Sequence, residues 1–360
     1  MTVIIAPQDL ESFAAKLLNA GGFHKSESEI TAKSLVASNL VGHDSHGVIR
    51  IIEYLGDIKK GITRPNAILS IDSESPTHIH ADGGYGLGPM IMEDLLARLH
   101  HKLIDGAVVC GSLQKCGHTG RLGYWAEWFT NHNLAGLIAV NDNGVLQFVA
   151  PPGSKQAATS TNPIAIGLPG GAEDRDFILD MSTSAAAIGK IRLDYMAGQP
   201  SKSGLLQDCE GRPTTDPAVM FEDPKGALLP MGGAQAYKGF GLSMAIDLLV
   251  AGLCGGFAPK APDGTQLCNN VLVIGWNPSK FAGHDHFHQE IERYHDFLQT
   301  LEMSDPGKQI RLPGDRARKE REKRLSEGIP LTRPACERLV HKARKLSVEM
   351  PPPLREFQEI

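Results

Sequence analysis

The sequence predicts an α+β protein with helices at both ends of the chain and strands in the middle. Residues 8–61 show three helical patterns with no strand pattern between them. Short runs typical of strands, either alternating or continuously apolar, occur between residues 68 and 276. From residue 290 onward the patterns are helical again. We therefore expect the middle of the chain to build a sheet and both ends to contribute helices.

The helices are predicted by apolar residues that recur at helical spacing. Ser26 and Glu29 form a capping-box pattern ahead of the second helix, and Gly61 is a stop signal after the third. The predicted helices cover residues 9–19, 27–40, 45–60, 90–103, a segment around Trp125, 185–197, 237–253, 290–303, 316–326 and 334–346.

The strands are predicted from short β-type runs bounded by turn residues. They cover residues 68–71, 78–81, 107–110, 134–140, 164–168, 271–276 and a run from 177 that enters a polar loop by 184. Residues 198–233 are rich in Pro, Gly, Asp and Thr and are predicted to form a long loop. A polar loop is expected at 284–288, and an extended tail at 351–353.

Composition excludes several classes of protein. The chain has 360 residues, enough for two or three domains, and 41% of them are hydrophobic and 21% charged, as in globular proteins. A net charge of −5 gives no basic footprint for nucleic acid. The six cysteines lack a CxxC pair, which fits a reducing cytoplasm. No signal peptide is predicted, and the apolar stretch 239–257, interrupted by Asp247, is interpreted as a core helix and not a membrane span.

Reactive side chains are concentrated between residues 42 and 54. If a helix begins near Ser45, then His46, Arg50 and Tyr54 recur at i, i+4 and i+8 on one stripe of its surface. An acid/base, a fixed cation and a phenol on one face suit a small carboxylate substrate that carries a reactive oxygen.

Two other interpretations of this stretch remain open. His43 and His46 are also common polar residues at a helix junction, with Arg50 a solvated charge. A metal site at His43 and His46, or at the histidines of 284–288, lacks third and fourth ligands at a recognisable spacing. A metal-dependent hydrolase or lyase and a non-catalytic binding protein are therefore the alternatives to an enzyme acting on a carboxylate.

Glycine motifs do not provide a nucleotide fingerprint. Residues 84–88 have the spacing GxGxG, which is not the GxGxxG of a dinucleotide loop, and neither that motif nor GxxxxGK[ST] occurs elsewhere. His118 lies on a second glycine-flanked loop, where a side chain can approach a ligand closely, although a capping or surface histidine is equally compatible. If a nucleotide binds, it binds without the Rossmann fingerprint.

Eight segments together resemble one family, the type-2 malate/L-lactate dehydrogenases, also called the ureidoglycolate and diketogulonate dehydrogenase family. The strongest similarity is to the branch that acts broadly on 2-hydroxycarboxylates. The segments occur in the family's order and span about residues 8–332. They are GHDSHG (42–47), GHTGRLGY (117–124), TNP (161–163), LDMSTS (179–184), AIGK (187–190), PTTDP (213–217), YKGFG (237–241) and LPG (312–314).

The resemblance implies a nicotinamide-dependent oxidoreductase whose fold is not a Rossmann fold. It implies one helical domain formed by residues 1–75 and 286–360, and a central α+β cofactor- and substrate-binding region at 76–285. It also implies a homodimer whose active site draws on both subunits. The expected cofactor is NAD, with NADP left open, and the expected partner is a small 2-hydroxy or 2-keto acid. A cyclic imino-acid (ketimine) reductase of the same family is the alternative.

The resemblance also implies roles for individual residues. His46 resembles the proton donor and acceptor, and His118 a second active-site imidazole. The implied substrate-binding residues are Ser45, Arg50, Tyr54 and Thr161. The implied cofactor-binding residues are Asn162, Asp176, Phe177, Ile178, Leu179, Asp180, Met181, Ser182, Tyr237, Lys238, Gly314, Asp315 and Arg316.

The sequence departs from the family pattern at three places. Ser160 stands where relatives usually have glycine before TNP, and residues 114–117 replace a more common Asn-containing run. Some relatives place a catalytic lysine in the loop that is Asn-Asp-Asn here, at 141–143. The identity of a second proton relay, and of the acid substrate, is therefore left open by the sequence.

Overall fold

The computed structural model describes residues 2–172, 174–305 and 307–357. Met1 and residues 358–360, which belong to the two ends of the predicted helical domain, lie outside the described residues. The α-helices are α1 (Pro7–Ala20), α2 (Lys25–Leu40), α3 (Ile51–Lys59), α4 (Gly88–Asp105), α5 (Leu122–Asn131), α6 (Ile188–Met196), α7 (Ala236–Cys254), α8 (His284–Gln299), α9 (Asp315–Glu327), α10 (Arg333–Lys345) and α11 (Pro352–Arg355). The strands are β1 (Thr2–Ile5), β2 (Ser70–Ser75), β3 (His78–Asp82), β4 (Val108–Cys116), β5 (Ala135–Asn141), β6 (Ile164–Leu168), β7 (Phe177–Met181), β8 (Leu206–Gln207), β9 (Pro213–Thr214), β10 (Ala227–Leu228), β11 (Asn269–Trp276) and β12 (Ile329–Thr332).

A seven-stranded mixed sheet confirms the predicted combination of a central sheet with helices. Its strand order is β2-β3-β4-β11-β5-β6-β7. Strands β3 and β4 are parallel, and the other neighbouring pairs are antiparallel. Strand β11 is central and buried on both faces: Val271 and Val273 face one core, while Leu272 faces another. A continuous apolar run is the sequence pattern expected of such a strand.

One face of the sheet is covered by α4 and α5. In α4, Met92, Leu95, Leu96, Leu99 and Leu103 recur at helical spacing and are fully buried against the strands. In α5, the buried Trp125 side chain donates its indole N–H to the Thr119 carbonyl at 2.9 Å. That hydrogen bond fixes the glycine-rich loop that carries His118.

The opposite face of the sheet is covered by α7. Ile246, Val250 and Cys254 pack against strand residues, whereas the outer face of the helix exposes apolar side chains. The exposed residues of that face are Met244, Leu248, Leu249 and Leu253. Within the described residues, the segment Gly233–Cys254 is long and apolar enough to cross a membrane by length and composition, yet 39% of its apolar window is buried. The prediction that this apolar stretch is a core helix is therefore correct for the inner face of α7 only.

Both ends of the chain share one apolar core. Strand β1 pairs antiparallel with β12, with Thr2 opposite Thr332 and Ile5 opposite Ile329. The core contains side chains of α1, α2 and α3 together with Leu339 of α10 and Leu354 of α11. This pairing places α9, which directly precedes β12, against α2 and the loop after it.

The segment predicted as a long loop, 198–233, contains a small sheet of its own. Strands β10, β8 and β9 pair antiparallel in that order. Leu206 and Leu228 from this sheet pack with Val149 and Ile191 in a separate small core. Two-residue strands are too short to show an alternation, so the sequence pattern did not predict them.

The predicted helix over 45–60 is wrong in its first part. Two short 3₁₀ turns, Asp44–His46 and Val48–Arg50, precede α3, and Gly47 between them is extended with ψ of −159°. His46 therefore does not share a helical stripe with Arg50 and Tyr54. The helix is interrupted because the Val48 N–H bonds to the Asn39 side chain at 2.9 Å and not to a helical carbonyl.

Three further predictions differ from the structure. Helix α2 begins at Lys25 without a side-chain cap, so the capping-box prediction is wrong. Residues 284–288 form the first turn of α8, after Gly283 with φ of +94°, and not a polar loop. Residues 351–353 enter the short helix α11 because Leu354 is drawn into the apolar core. A tertiary contact thus decides the start of α11, whereas α8 follows a local turn at Gly283.

Candidate active site

The loop between α2 and α3 is held by the side chain of Asn39. Its Oδ1 accepts the Val48 N–H at 2.9 Å, and its Nδ2 donates to Asp44 Oδ1 at 2.6 Å. A Cβ atom at Gly47 would lie 2.2 Å from that Oδ1, so only glycine fits this close approach. One buried amide thus sets the path of the segment that carries His46.

Arg324 of α9 fixes the same loop from the other end of the chain. The Arg324 guanidinium is buried and donates to the Asn39 carbonyl and to Asp44 Oδ1, both at 2.7 Å. Its Nε donates to Glu320 at 2.6 Å. A buried cation requires such pairing, because its desolvation is otherwise uncompensated. The conformation of the loop therefore depends on the position of α9.

His46 and His118 lie side by side at this loop. Their ring centroids are 5.5 Å apart with an angle of 28° between the planes. The Tyr54 hydroxyl lies 2.9 Å from His118 Nδ1, and the Gly120 N–H donates to that same nitrogen at 3.3 Å. Because Nδ1 accepts a backbone N–H, the neutral His118 ring carries its proton on Nε2. The structure thus joins three residues that the sequence analysis selected.

Ser45 and Arg50 flank the two imidazoles. Ser45 Oγ lies 3.0 Å from His46 Nδ1. One terminal nitrogen of Arg50 contacts Glu53 at 2.6 Å, and its Nε is buried without a hydrogen-bond partner among the described residues. An orphaned buried donor is costly, and a ligand carboxylate would satisfy it.

Burial and neighbouring cations keep both imidazoles neutral. Burial, together with the charge of Arg50, lowers the pKa of His46 to about 3. The pKa of His118 is well below its usual range for the same reasons. Burial raises the pKa of Tyr54 to about 12, so its hydroxyl stays protonated. The site is therefore a pair of neutral bases beside a permanent cation, an arrangement that attracts an anionic ligand.

His43 connects this loop to the end of β7. His43 Nδ1 lies 3.9 Å from Asp180 Oδ2, which also accepts the Gly123 N–H at 2.9 Å. A guanidinium nitrogen of the buried Arg121 lies 3.9 Å from the same carboxylate oxygen. Burial lowers the pKa of His43, and Asp180 partly opposes this effect. The end of β7 is thus next to the loop of His46.

Two of the predicted cofactor-binding stretches are brought together. The Ile178 N–H donates to the Pro313 carbonyl at 3.3 Å, and Arg318 donates to the Asp176 carbonyl at 2.7 Å. A Cβ at Gly42 would lie 3.3 Å from a terminal nitrogen of Arg316, which places that cation beside the His43 loop. The segments 176–182 and 314–316 therefore form one continuous surface with the histidine loop.

Tyr237 and Lys238 are placed differently. They lie exposed at the start of α7, with the Lys238 ammonium 6.0 Å from the centre of the Tyr237 ring. Their segment is joined to the β7 end through the backbone, since the Met231 N–H donates to the Thr183 carbonyl at 2.9 Å.

Thr161 and Asn162 lie in a turn braced by the loop after β7. The Thr183 hydroxyl donates to the carbonyls of Thr161 and Asn162 at 3.0 and 3.2 Å. Asn162 has φ of +28°, an unusual value for a residue with a side chain, and is buried. Its Nδ2 donates to Asp247 Oδ2 at 2.5 Å, while its Oδ1 is buried without a partner among the described residues.

Several residues of the site were not singled out from the sequence as functional. Asn39 and Arg324 carry no local signal, because each acts through a contact with a distant segment. Glu53, which holds Arg50, had only its helical spacing as a signal. Asp247 had a stronger sequence signal. Burying a carboxylate in an apolar helix costs free energy, so its presence there indicates a specific partner.

Asp142 is a second buried carboxyl group in this region, at the end of β5. Neither of its oxygens has a hydrogen-bond partner among the described residues. Burial, opposed by the nearby Ser160 hydroxyl and supported by the negative charge of Asp247, raises its pKa to about 6. The folded protein therefore binds a proton at Asp142 more tightly than the unfolded chain does.

The metal alternative finds no geometric support. Among the described residues, no three His, Cys, Asp or Glu side chains converge in a way that could hold a metal ion. His43 and His46 instead lie with ring centroids 6.3 Å apart, each engaged by a different neighbour.

Known proteins match this chain over nearly its whole length. Residues 5–340 match the family model described as malate/L-lactate dehydrogenase. Malate/(S)-sulfolactate dehydrogenase of Methanothermus fervidus is 30% identical, covering 97% of this chain and 99% of the relative. Hydroxycarboxylate dehydrogenase B of Escherichia coli is 30% identical, covering 95% and 94%. The structure of sulfolactate dehydrogenase from Methanocaldococcus jannaschii has a TM-score of 0.85 at 27% identity and covers 100% of both chains.

The contact of Arg324 with the loop gives a first prediction. Arg324→Met removes the hydrogen bonds to Asp44 and to the Asn39 carbonyl, each an interaction with a charged group, and should lower the free energy of unfolding by about 2–3 kcal/mol. Urea unfolding followed by circular dichroism measures the change. Arg321→Met, an exposed cation on the same helix, is the control and should change stability by less than about 0.5 kcal/mol. Equal stability of the Arg324 variant and the wild type would contradict the role of this contact.

Asp142 gives a second prediction, about pH. The pKa of Asp142 is about 6 in the folded protein, and its ordinary value is 3.8. The protonated carboxyl group therefore stabilises the folded protein at low pH, and this contribution to the free energy of unfolding is lost as pH rises through about 6. Asp142→Asn removes this loss, so the variant should be more stable than the wild type by about 3 kcal/mol at pH 7.5 and equal to it below pH 4. Thermal unfolding at several pH values measures both limits. A constant difference between variant and wild type at all pH values would show that the carboxyl does not titrate as described.

Proposed function

Because the chain belongs to the malate/L-lactate dehydrogenase family, we propose that it transfers a hydride between NAD and a small 2-hydroxy or 2-keto carboxylate such as malate or lactate. The named relatives are dehydrogenases of malate, sulfolactate and hydroxycarboxylates, enzymes that act on CH–OH donors. The observation that carries the proposal is the pairing of His46 and His118, two neutral imidazoles, beside the unpartnered Nε of Arg50.

In this proposal Arg50 binds the substrate carboxylate. Its Nε is already buried and lacks an acceptor, and Glu53 fixes the other side of the guanidinium. Ser45, Tyr54 and Thr161 complete the substrate site. A guanidinium presents two parallel N–H groups to a carboxylate, which would orient the hydroxyl-bearing carbon.

His46 acts as the acid/base in this proposal, with His118 as the second imidazole. A bound carboxylate neutralises the charge of Arg50, and this raises the pKa of His46 toward the working range. His46 then takes the hydroxyl proton during oxidation and returns it during reduction. His118, whose neutral tautomer carries its proton on Nε2, donates a hydrogen bond to the substrate oxygen.

Residues 176–182, 237–238 and 314–316, together with Asn162, would hold the dinucleotide. The buried and unpartnered Oδ1 of Asn162 suits an N–H donor such as a carboxamide. When bound, the nicotinamide supplies the hydride donor or acceptor. We propose NAD over NADP because the cations next to Asp176 are already paired, Arg175 with Asp296 at 3.3 Å and Arg318 with Asp315 at 2.6 Å. Neither is free for a 2′-phosphate.

We propose that the cofactor binds to a fold that is not a Rossmann fold, since the sheet has a single parallel pair, β3–β4, among its described strands. The proposed division is one helical domain from residues 1–75 and 286–360 around a central region 76–285. It is supported by the apolar core that both chain ends share. A cytoplasmic location is proposed on the six cysteines, which are all free thiols in the structure.

We further propose a homodimer whose active site draws on both subunits, with the outer face of α7 in the interface. This face exposes four large apolar side chains in one stripe, which is costly in water. A second copy of the same helix is self-complementary to such a stripe, as a twofold interface requires.

A panel of 2-keto acids assayed with NADH and NADPH tests the activity. Oxidation of NADH is expected with oxaloacetate, pyruvate or a longer 2-keto acid.

His46→Ala should lower kcat about 10²- to 10⁴-fold while NADH binding is kept, because only the proton transfer is lost. His118→Ala is measured beside it. Full activity of the His46 variant with loss in the His118 variant would assign the acid/base role to His118. Activity with a cyclic imino acid alone would favour the reductase alternative.

The α7 interface gives a separate prediction. Leu248 is 59% exposed and Leu249 is 53% exposed. The double variant Leu248→Glu with Leu249→Glu should be a monomer of 38.8 kDa, whereas the wild type should be a dimer of twice that mass. The reason is that two charges would be buried without partners in the dimer interface. Sedimentation equilibrium measures the mass. Leu325→Glu, at an equally exposed leucine on α9, is the control and should remain dimeric. A monomeric wild-type protein, or a dimeric double variant, would remove α7 from the interface.

A further inference from the structure

The turn at Asn162 is held by an unusually complete set of acceptors on α7. The Asn162 Nδ2 lies 2.5 Å from Asp247 Oδ2, 2.9 Å from Ser243 Oγ and 3.2 Å from the Ser243 carbonyl. Ser243 and Asp247 are one helical turn apart on the buried face of the helix. All the partners of this amide are thus oxygen atoms, and all lie on its nitrogen side.

Asp247 and the Ser243 carbonyl only accept hydrogen bonds, but Asp247 lies nearer to Asn162 Nδ2, at 2.5 Å against 3.2 Å, and its ionised carboxylate also carries a charge. A hydroxyl can accept from the amide nitrogen or donate to the amide oxygen, so the Ser243 hydroxyl alone would not fix which side of the Asn162 amide faces α7. The carboxylate does fix it, since a flipped amide would set Oδ1 against a negative charge. Asn141 Nδ2 donates to Asp247 Oδ1 at 3.3 Å and holds the carboxylate in turn.

The position of Asp247 is not explained by stability. The side chain is 2% exposed, and burial raises the pKa of its carboxyl group, which means that the charge is disfavoured in the folded protein. The helix that carries it is otherwise apolar between Leu242 and Cys254 apart from Ser243. A residue that costs stability inside a well-packed helix is typical of a functional role.

We propose that Asp247 is a positioning residue: its acceptor-only carboxylate locks the Asn162 amide so that Oδ1 stays on the side away from α7, free to receive a donor from the nicotinamide group. The inference rests on the proposed function, which gives Asn162 a role at the cofactor. Asp247 itself touches neither cofactor nor substrate. Its effect reaches the cofactor side through the hydrogen bond to Asn162.

Asp247→Asn is the decisive substitution. Asparagine has the same shape but offers an N–H group that can bond to a flipped Oδ1, so the amide of Asn162 is no longer fixed. With loss of this charge-assisted contact, NADH Kd should rise about 5- to 10-fold and kcat fall about 10- to 100-fold. The melting temperature should stay equal or rise, because a buried charge is removed. A merely structural role predicts the opposite, a lower melting temperature with unchanged kinetics.

Two further variants make the test specific. Val250 lies on the same buried face of α7 and makes no hydrogen bond to Asn162. Val250→Ala should lower the melting temperature while kcat and NADH Kd stay within about twofold of the wild-type values. Asn162→Ala removes the amide, and Asp247→Asn added to it should cause no further loss of kcat. Non-additivity of this kind is expected when one residue acts through the other.

The outcomes separate the inference from the proposed function. If the wild-type protein oxidises NADH with no 2-keto acid of the panel, the proposed function fails, and the inference fails with it. If the wild type is active and Asp247→Asn has the same kcat and NADH Kd, the inference alone is overturned. An additional loss of kcat from Asp247→Asn in the Asn162→Ala background would also overturn it, because the carboxylate would then act by another route.

Discussion

The candidate active site depends on one ionic contact, that of the buried Arg324 with Asp44 and the Asn39 carbonyl. It joins a helix near the end of the chain to a loop near its beginning. Because the guanidinium is buried, it is stable only when those acceptors are in place. Asp44 also accepts from the Asn39 side chain, which binds the Val48 N–H and so fixes the extended backbone at Gly47 and the direction of His46. The core shared by both chain ends is thus a condition for the chemistry as well as for the fold.

Burial is the main reason why both imidazoles of the site are neutral, and the charge of Arg50 adds to its effect. Arg50 lowers the pKa of His46 and of His118, and Arg121 adds to the effect on His46. The free site is therefore ready for an anion, whose charge would restore the basicity of the histidine that it contacts. The proposed carboxylate substrate and the proposed acid/base role of His46 are linked by this electrostatic effect.

Helix α7 has two faces with different tasks. Its inner face packs on the sheet and carries Asp247, which reaches the turn of Asn162. Its outer face is apolar and exposed, as expected of a surface that a second subunit covers. If the dimer forms there, the helix that holds the Asn162 side chain is fixed by the partner subunit. A homodimer would then be required for an ordered site and not only for stability.

The sequence by itself determined the α+β class, most of the sheet and the long helices, because these depend on local periodicity, as in α4 and β11. Two of the eight family segments contain His46 and His118, since reactive groups next to glycine form recognisable motifs, whereas Arg50 was selected by a helical spacing from His46 that the structure does not have. Tertiary structure alone decided the break at Gly47, the pairing of β1 with β12, and the roles of Arg324 and Asp247. Each of these is a contact between segments far apart in the chain, and local patterns carry no information about a distant partner.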